Sequence, residues 1–235
     1  MNKTDLQQNK TDVITSVVAT AISFVPVIGG ALSEIIHITI PKQREDRIVK
    51  FLKEVDDRLN ELNITVNKLN SIFENNQYGV FTYDCLKSVA NERYEDKLKY
   101  YKRLYINGLT SEEDEMLNNY NVMMIISDMN FKEILFLKAF YYSFIGFHQK
   151  EKQEILKQLG ILTLMPIYTN KMTQEESDKE TYKQMIINSL EKKGLLNKKI
   201  TQEKLFYRHE PYKETYEISH LGILILRKIG EIDNE

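Results

Sequence analysis

An uncharged stretch dominates the start of the chain. Twenty-one consecutive residues, from Val13 to Ser33, carry no charge. A membrane-spanning helix needs about twenty apolar residues, so this run is just long enough. Pro26 and the pair Gly29 and Gly30 interrupt it, which predicts two short apolar helices that form a hairpin over residues 1–40.

The first of these helices carries small hydroxyl residues along one face and Ile and Val along another. Small residues let helices approach closely in lipid, where packing drives association. The pattern favours a membrane or pore segment, but a core helix wrapped by the rest of a bundle has the same pattern, so both interpretations stay open. The residues of the candidate membrane segment are Ser16, Thr20, Ser23, Pro26, Gly29 and Gly30.

Residues 42–73 show the clearest periodicity in the chain. Apolar residues recur at alternating spacings of four and three, with charges of both signs between them, which predicts one long amphipathic helix. We expect its apolar face to pack within the molecule or against a second copy. The residues of this face are Ile48, Leu52, Val55, Leu59, Leu62, Val66 and Leu69.

Cap residues mark further helix boundaries. A helix around Leu86 to Leu104 is expected to stop at Asn107-Gly108. Three pairs place a short side-chain oxygen three residues before a carboxylate; the two Thr pairs match the capping-box pattern and the Asn pair approximates it. They predict helices near 111–127, 131–148 and 174–193. The pairs are Thr110 with Glu113, Asn130 with Glu133, and Thr173 with Glu176.

The end of the chain changes character. A helix that ends at Gly194 is followed by strand-like residues at 198–208 and 215–219, and then by an apolar helix over 220–232. The sequence Leu-Glu-Lys-Lys-Gly-Leu-Leu at 190–196, followed by Tyr-Glu-Ile-Ser-His-Leu-Gly at 216–222, resembles the recognition-helix end, wing and closing helix of bacterial winged-helix proteins. The resemblance implies a helix, a two-stranded ribbon and a helix.

Basic residues cluster around this ribbon. Between positions 192 and 208 there are six basic residues and one acidic residue, a local charge of +5. Such a patch can meet phosphates or a protein partner, whereas the preceding helix is rich in Glu and Asp and does not suit DNA. A solvated basic hairpin is the plainer alternative. The patch consists of Lys192, Lys193, Lys198, Lys199, Lys204 and Arg208.

Composition narrows the function class. The net charge of −2 gives no overall attraction to nucleic acid, and Cys85 is the single cysteine. The four histidines have no metal-ligand spacing, and no phosphate loop or serine elbow is present. We therefore expect no enzyme activity, no cofactor and no metal site. Without a signal peptide, we expect a cytoplasmic protein, free or associated with the membrane.

Three segments together suggest a family. They are Pro-Val-Ile-Gly-Gly at 26–30 with Pro41, Arg44 and Arg47, the run from Glu92-Arg93-Tyr94 through Asn107-Gly108-Leu109, and the winged-helix-like end. In this order they resemble the abortive-infection alpha type and similar helical proteins of bacterial phage-defence loci. The resemblance implies antiviral defence at or near the membrane.

The expected fold is mainly α, with three parts. These are the apolar hairpin at 1–40, long amphipathic helices in a bundle at 41–128, and a winged-helix-like α/β unit at 129–235. The leading hypothesis is a membrane-associating or membrane-disrupting effector, or an anchored component, of an anti-phage abortive-infection system. The alternative is a soluble winged-helix DNA-binding regulator or protein-interaction module, including a phage or prophage protein that binds a host factor. Expected partners are a protein or a second copy and the membrane, with nucleic acid less favoured.

Overall fold

The computed structural model describes residues 42–146, 148–165, 172–201 and 213–233. The chain divides into two compact units, Met1–Asp128 and Met129–Glu235. The predicted hairpin at 1–40 lies outside the described residues. So do two members of the basic patch, Lys204 and Arg208, and every residue of the candidate membrane segment: Ser16, Thr20, Ser23, Pro26, Gly29 and Gly30.

The described residues form nine helices and one two-stranded antiparallel sheet, which confirms the mainly helical fold with a small ribbon near the C-terminus. The helices of the first unit are α1 (Lys42–Glu61), α2 (Val66–Phe73), α3 (Asn76–Asn91), α4 (Glu95–Thr110) and α5 (Glu113–Ser127). The elements of the second unit are α6 (Phe131–Ile145), α7 (Gln149–Leu159), α8 (Gln174–Lys192), β1 (Leu196–Thr201), β2 (Lys213–Ile218) and α9 (His220–Lys228).

The predicted single helix over 42–73 is wrong, because the chain turns between α1 and α2. Asn63 adopts a left-handed conformation with φ of 55°. Ile64 then donates its N–H to the carbonyl of Leu59 at 3.0 Å, which closes the end of α1 in a Schellman-type turn. Thr65 caps the start of α2 through its side chain. Local cap chemistry therefore overrides an apolar spacing that continues through the turn.

This turn also divides the predicted apolar face. Leu62 lies at the turn and is 40% exposed, so the face is not continuous. The side chain of Val66 is not among those described. The buried members of the face are Ile48, Leu52, Val55 and Leu59 on α1 and Leu69 on α2.

A second predicted helix is also interrupted, since α3 and α4 are separated by residues 92–94. The predicted stop at Asn107-Gly108 is wrong, because both residues lie inside α4. Gly108 is a packing position: a Cβ built on it would lie 2.5 Å from Cε1 of Phe81. The predicted cap at Thr110 is wrong as well, because its hydroxyl donates to the carbonyl of Ile106 at 2.9 Å and α5 begins without a side-chain cap.

The other two predicted capping boxes are confirmed. Asn130 accepts from the Glu133 N–H at 3.0 Å, and the Glu133 carboxylate accepts from the Asn130 N–H at 2.7 Å. Thr173 accepts from the Glu176 N–H at 3.3 Å, and Glu176 accepts from the Thr173 N–H at 2.8 Å. Each pair satisfies two N–H groups at a helix start and so fixes where α6 and α8 begin.

Aromatic side chains fill the core of the first unit. The ring of Tyr105 lies 6.0 Å from that of Phe51 and 5.3 Å from that of Phe81, which joins α1, α3 and α4. The buried Tyr105 hydroxyl lies 3.0 Å from the hydroxyl of Thr82, which in turn donates to the carbonyl of Tyr78 at 2.7 Å. Each polar tip therefore has a partner inside an apolar core.

A buried ion pair fixes the turn between α3 and α4. The Glu92 carboxylate lies 2.6 Å from Nζ of Lys97, and both side chains are almost completely buried. It also accepts from the backbone N–H groups of Arg93 at 2.8 Å and Tyr94 at 2.9 Å, and from the Tyr101 hydroxyl at 3.0 Å. Burial alone would raise the pKa of Glu92, but the hydrogen bonds and the Lys97 charge outweigh it and lower that pKa.

Replacing Glu92 should therefore destabilise the protein in a pH-dependent way. Because the folded-state pKa is lowered, the stabilisation is complete above the ordinary carboxyl pKa of about 4.3 and is lost as the pH falls toward the lowered value. Glu92→Gln removes the carboxylate that pairs with the buried Lys97, so we expect a loss of about 3–5 kcal/mol at pH 7 that narrows near pH 3. Urea denaturation of the original protein and the variant at pH 7 and pH 3 measures this loss of stability.

The double variant Glu92→Gln with Lys97→Met is the control, because it removes both charges and should recover part of the loss. Hydrogen exchange at the α4 amides localises the effect to the first unit. A stability gap of equal size at pH 7 and pH 3 would contradict the role assigned to the carboxylate.

Two glycines in the helices of the first unit should respond to alanine with opposite signs. Gly108→Ala places a methyl group against the buried ring of Phe81 and should cost about 1–3 kcal/mol. Gly79→Ala lies in α3 with nothing within 4 Å of the added carbon, so it should stabilise by about 0.5–1 kcal/mol. Thermal denaturation of both variants measures the two changes in stability. A Gly108→Ala protein that is more stable than the original would refute the packing role assigned to Gly108.

Candidate protein-interaction surface

Helix α6 is the centre of the second unit, since α7, α8, α9 and β2 all pack against it. The N-terminus of α6 meets the end of α8 through one buried carboxylate. Oε1 of Glu133 accepts from the Ser189 hydroxyl at 2.5 Å and from Nζ of Lys193 at 3.0 Å. The other oxygen of Glu133 caps the Asn130 N–H. One side chain thus sets the start of α6 and the rotation of α8 about its axis.

The inner side of α8 is apolar except for one lysine. Ile186, Ile187 and Leu190 are buried. Lys183 is buried with them, and its Nζ pairs with Glu180 at 2.7 Å. The same ammonium donates to two backbone carbonyls of the preceding loop, at 2.7 Å to Met165 and 3.3 Å to Thr163. Lys183 therefore holds residues 163–165 against α8.

The outer side of α8 carries two large apolar side chains. Tyr182 is 45% exposed and Met185 is 63% exposed, one helical turn apart. Nζ of Lys132 lies 5.0 Å from the centre of the Tyr182 ring, a cation–π contact that orients the ring. We call this surface the α8 face: Asp178, Thr181, Tyr182, Met185, Asn188 and Lys192, all of which are exposed.

The N-terminal turns of α8 are acidic. Glu175 pairs with Lys179 at 2.6 Å, and Glu176 belongs to the capping box. Asp178 accepts a hydrogen bond from Gln174 at 2.8 Å. Carboxylates at this end complement the helix dipole, so they stabilise α8 while giving the first part of the α8 face a negative potential.

The two sequence motifs of the winged-helix resemblance contact each other. Gly194 ends α8 with φ of 72°, and Ser219 donates its hydroxyl to the Gly194 carbonyl at 2.7 Å and its N–H to the Leu195 carbonyl at 3.0 Å. Ser219 also caps α9. A Cβ on Gly222 would lie 2.6 Å from the Leu195 carbonyl oxygen, so only glycine allows α9 to approach this closely.

The ribbon pairs β1 and β2 from Leu196 opposite Ile218 to Thr201 opposite Lys213. Tyr216 and Ile218 are buried, and β2 packs on α6. The outer face of the ribbon carries Lys199, whose Nζ pairs with Glu217 at 2.6 Å. The strands thus pack one face and leave the other polar.

The predicted basic patch is partly neutralised. Lys193 pairs with Glu133 and Lys199 pairs with Glu217. Lys192 and Lys198 are exposed, while Lys204 and Arg208 lie outside the described residues. The expected excess of positive charge is therefore reduced at Lys193 and Lys199.

The described part of the chain offers few other features that could support membrane insertion, metal binding or thiol chemistry. No helix there is both long and apolar enough to cross a bilayer. No group of three or more His, Cys, Asp or Glu side chains there could hold a metal ion. Cys85 is fully buried, and burial together with the nearby Asp84 charge raises the pKa of its thiol far above the ordinary value.

Comparison of the chain with protein-family models, curated proteins and solved structures finds no match.

Sequence reasoning did not single out Tyr182 and Met185. A helical projection could have found them, because placing Ile186, Ile187 and Leu190 inward turns these two residues outward. The contacts of Glu133 with Ser189 and Lys193 could not be found in this way. They join residues that are 56 and 60 positions apart.

Proposed function

We propose that the C-terminal unit is a winged-helix-like module that binds a protein partner through the α8 face. The order of helix, two-stranded ribbon and closing helix supports the winged-helix likeness. The observation that carries the proposal is the exposure of Tyr182 and Met185 at the middle of this face. Aromatic residues and methionine are enriched where proteins bind each other, and such anchors supply most of the binding energy.

The charges of α8 and of the basic patch favour a protein partner over DNA. A helix-turn-helix protein reads base edges with the N-terminal residues of its recognition helix. In α8 this part contains Glu175, Glu176 and Asp178, which repel phosphates. Lys193 and Lys199 are engaged by carboxylates. The fitting partner is a protein that presents basic side chains beside an apolar patch.

The second proposed role concerns the membrane and rests on the sequence. The uncharged run from Val13 to Ser33 is long enough to enter a bilayer. Together with the resemblance to phage-defence proteins, it supports an anchored or membrane-disrupting component of an abortive-infection system. In this proposal the C-terminal module recruits the partner and the N-terminal segment acts at the membrane.

Photo-crosslinking should reveal the partner of the α8 face. With p-benzoylphenylalanine at Met185, irradiated native cells should yield a discrete adduct heavier than the chain. Tyr182→Ser should weaken this adduct about tenfold, because loss of an aromatic anchor costs about 1–3 kcal/mol. The same crosslinker at the exposed Val80 of α3 is the matched control and should give no such adduct.

An adduct twice the mass of the chain would mean that the partner is a second copy. No adduct specific to position 185, together with salt-dependent binding of duplex DNA by the intact protein, would replace the proposal with a DNA-binding role.

Membrane association should depend on the uncharged run. Removing residues 1–40 should shift the protein from the membrane fraction to the soluble fraction and restore viability in cells that express it. Ile22→Asp, next to the middle of the run, should weaken association in the full chain, since a carboxylate at the centre of a bilayer costs about 2.5–3.5 kcal/mol or more. Removing only residues 1–11 is the control and should change neither result. Equal fractionation and equal viability for all forms would exclude the membrane role.

A further inference from the structure

A cavity of about 310 Å³ opens in the second unit, and none of its lining residues belongs to the α8 face. It lies between α6, α7, β2 and the loop that follows α7. Phe140, Leu156, Leu164 and Tyr216 are its buried lining residues. This volume is at the small end of the range for ligand sites, and an apolar lining with few polar groups is typical of them.

The polar residues of the lining give the cavity a positive charge. Lys152 of α7 is its one charged residue among those the structure describes, and no Asp or Glu lines it there. Lys152 makes no ion pair with another side chain in the described ranges. Ser143 and Gln153 add neutral hydrogen-bonding groups. A half-buried cation beside an apolar lining complements an anion with an apolar body.

The wall formed by the loop is held in place. Thr163, Leu164 and Met165 line the cavity, and the buried ammonium of Lys183, which is not a lining residue, donates to the carbonyls of Thr163 and Met165. Glu180 neutralises this lysine at 2.7 Å. The wall therefore depends on the ion pair between Lys183 and Glu180. A wall that the fold itself holds in place reduces the ordering cost that binding would otherwise carry.

We propose that this cavity binds a small aromatic or branched aliphatic monocarboxylate. The apolar body packs on Phe140, Leu156 and Leu164, and the carboxylate accepts from Lys152 near the Ser143 hydroxyl. This ligand class is independent of the partner proposed for the α8 face. Tyr216 and the loop bound by Lys183 connect the cavity to the ribbon and to α8.

Isothermal titration calorimetry with 2-naphthoate and with uncharged 2-naphthalenemethanol tests the proposal on the full chain. The intact protein should bind the carboxylate about tenfold or more tightly than the alcohol, because the carboxylate gains a charge-assisted hydrogen bond. Lys152→Gln should remove this preference and leave the affinity for the alcohol unchanged. Lys157→Gln, an exposed position on the same helix outside the cavity, is the matched control and should keep the preference.

Filling the cavity should abolish binding of both probes. Ser143→Phe places a ring into the space from an exposed position, and Gln153→Trp does so from α7 if the first variant fails to fold. Circular dichroism checks folding. The proposal is overturned if the intact protein binds neither probe, if it binds both equally, or if a folded cavity-filled variant binds 2-naphthoate as the intact protein does.

Discussion

The second unit depends on the carboxylate of Glu133. This group caps the start of α6 and accepts from Ser189 and Lys193 at the end of α8. A buried carboxylate is costly unless its lone pairs are occupied, so the sequence must bring these partners to it in one arrangement. That arrangement sets the rotation of α8. Ile186, Ile187 and Leu190 then face the core, and Tyr182 and Met185 are left outside.

Glu92 and Lys183 fix local geometry in the same way as Glu133. Each is a buried charge with an opposite partner and additional hydrogen bonds, and each fixes a turn or loop that apolar packing would leave free to adopt other arrangements. Buried ion pairs contribute little net stability compared with apolar residues of the same shape. Their contribution here is geometric: Glu92 sets the start of α4, and Lys183 sets the wall of the cavity.

The features predicted from the sequence are those that depend on neighbouring residues. The capping boxes at Asn130 and Thr173, the end of α8 at Gly194 and the ribbon all follow from local patterns. The predicted helix boundaries were wrong where local turn geometry interrupts a regular apolar spacing, as at Asn63. They were also wrong where a residue type that often ends helices lies inside a helix and packs closely, as Gly108 does. No bounds were predicted for helix α7, and the cavity was not foreseen because its lining comes from α6, α7, β2 and a loop. The exposed apolar pair on α8 was accessible in principle from the helical period.

The left-handed turn at Asn63 also limits how copies of this chain can associate. A two-stranded coiled coil requires an uninterrupted seam that winds around its partner, and the seam of α1 stops at the turn that follows Glu61. Ile48, Leu52, Val55 and Leu59 are already enclosed within their own unit. A parallel coiled coil along α1 would first have to expose the core of the unit. Any dimer that keeps the unit intact must therefore use a different surface.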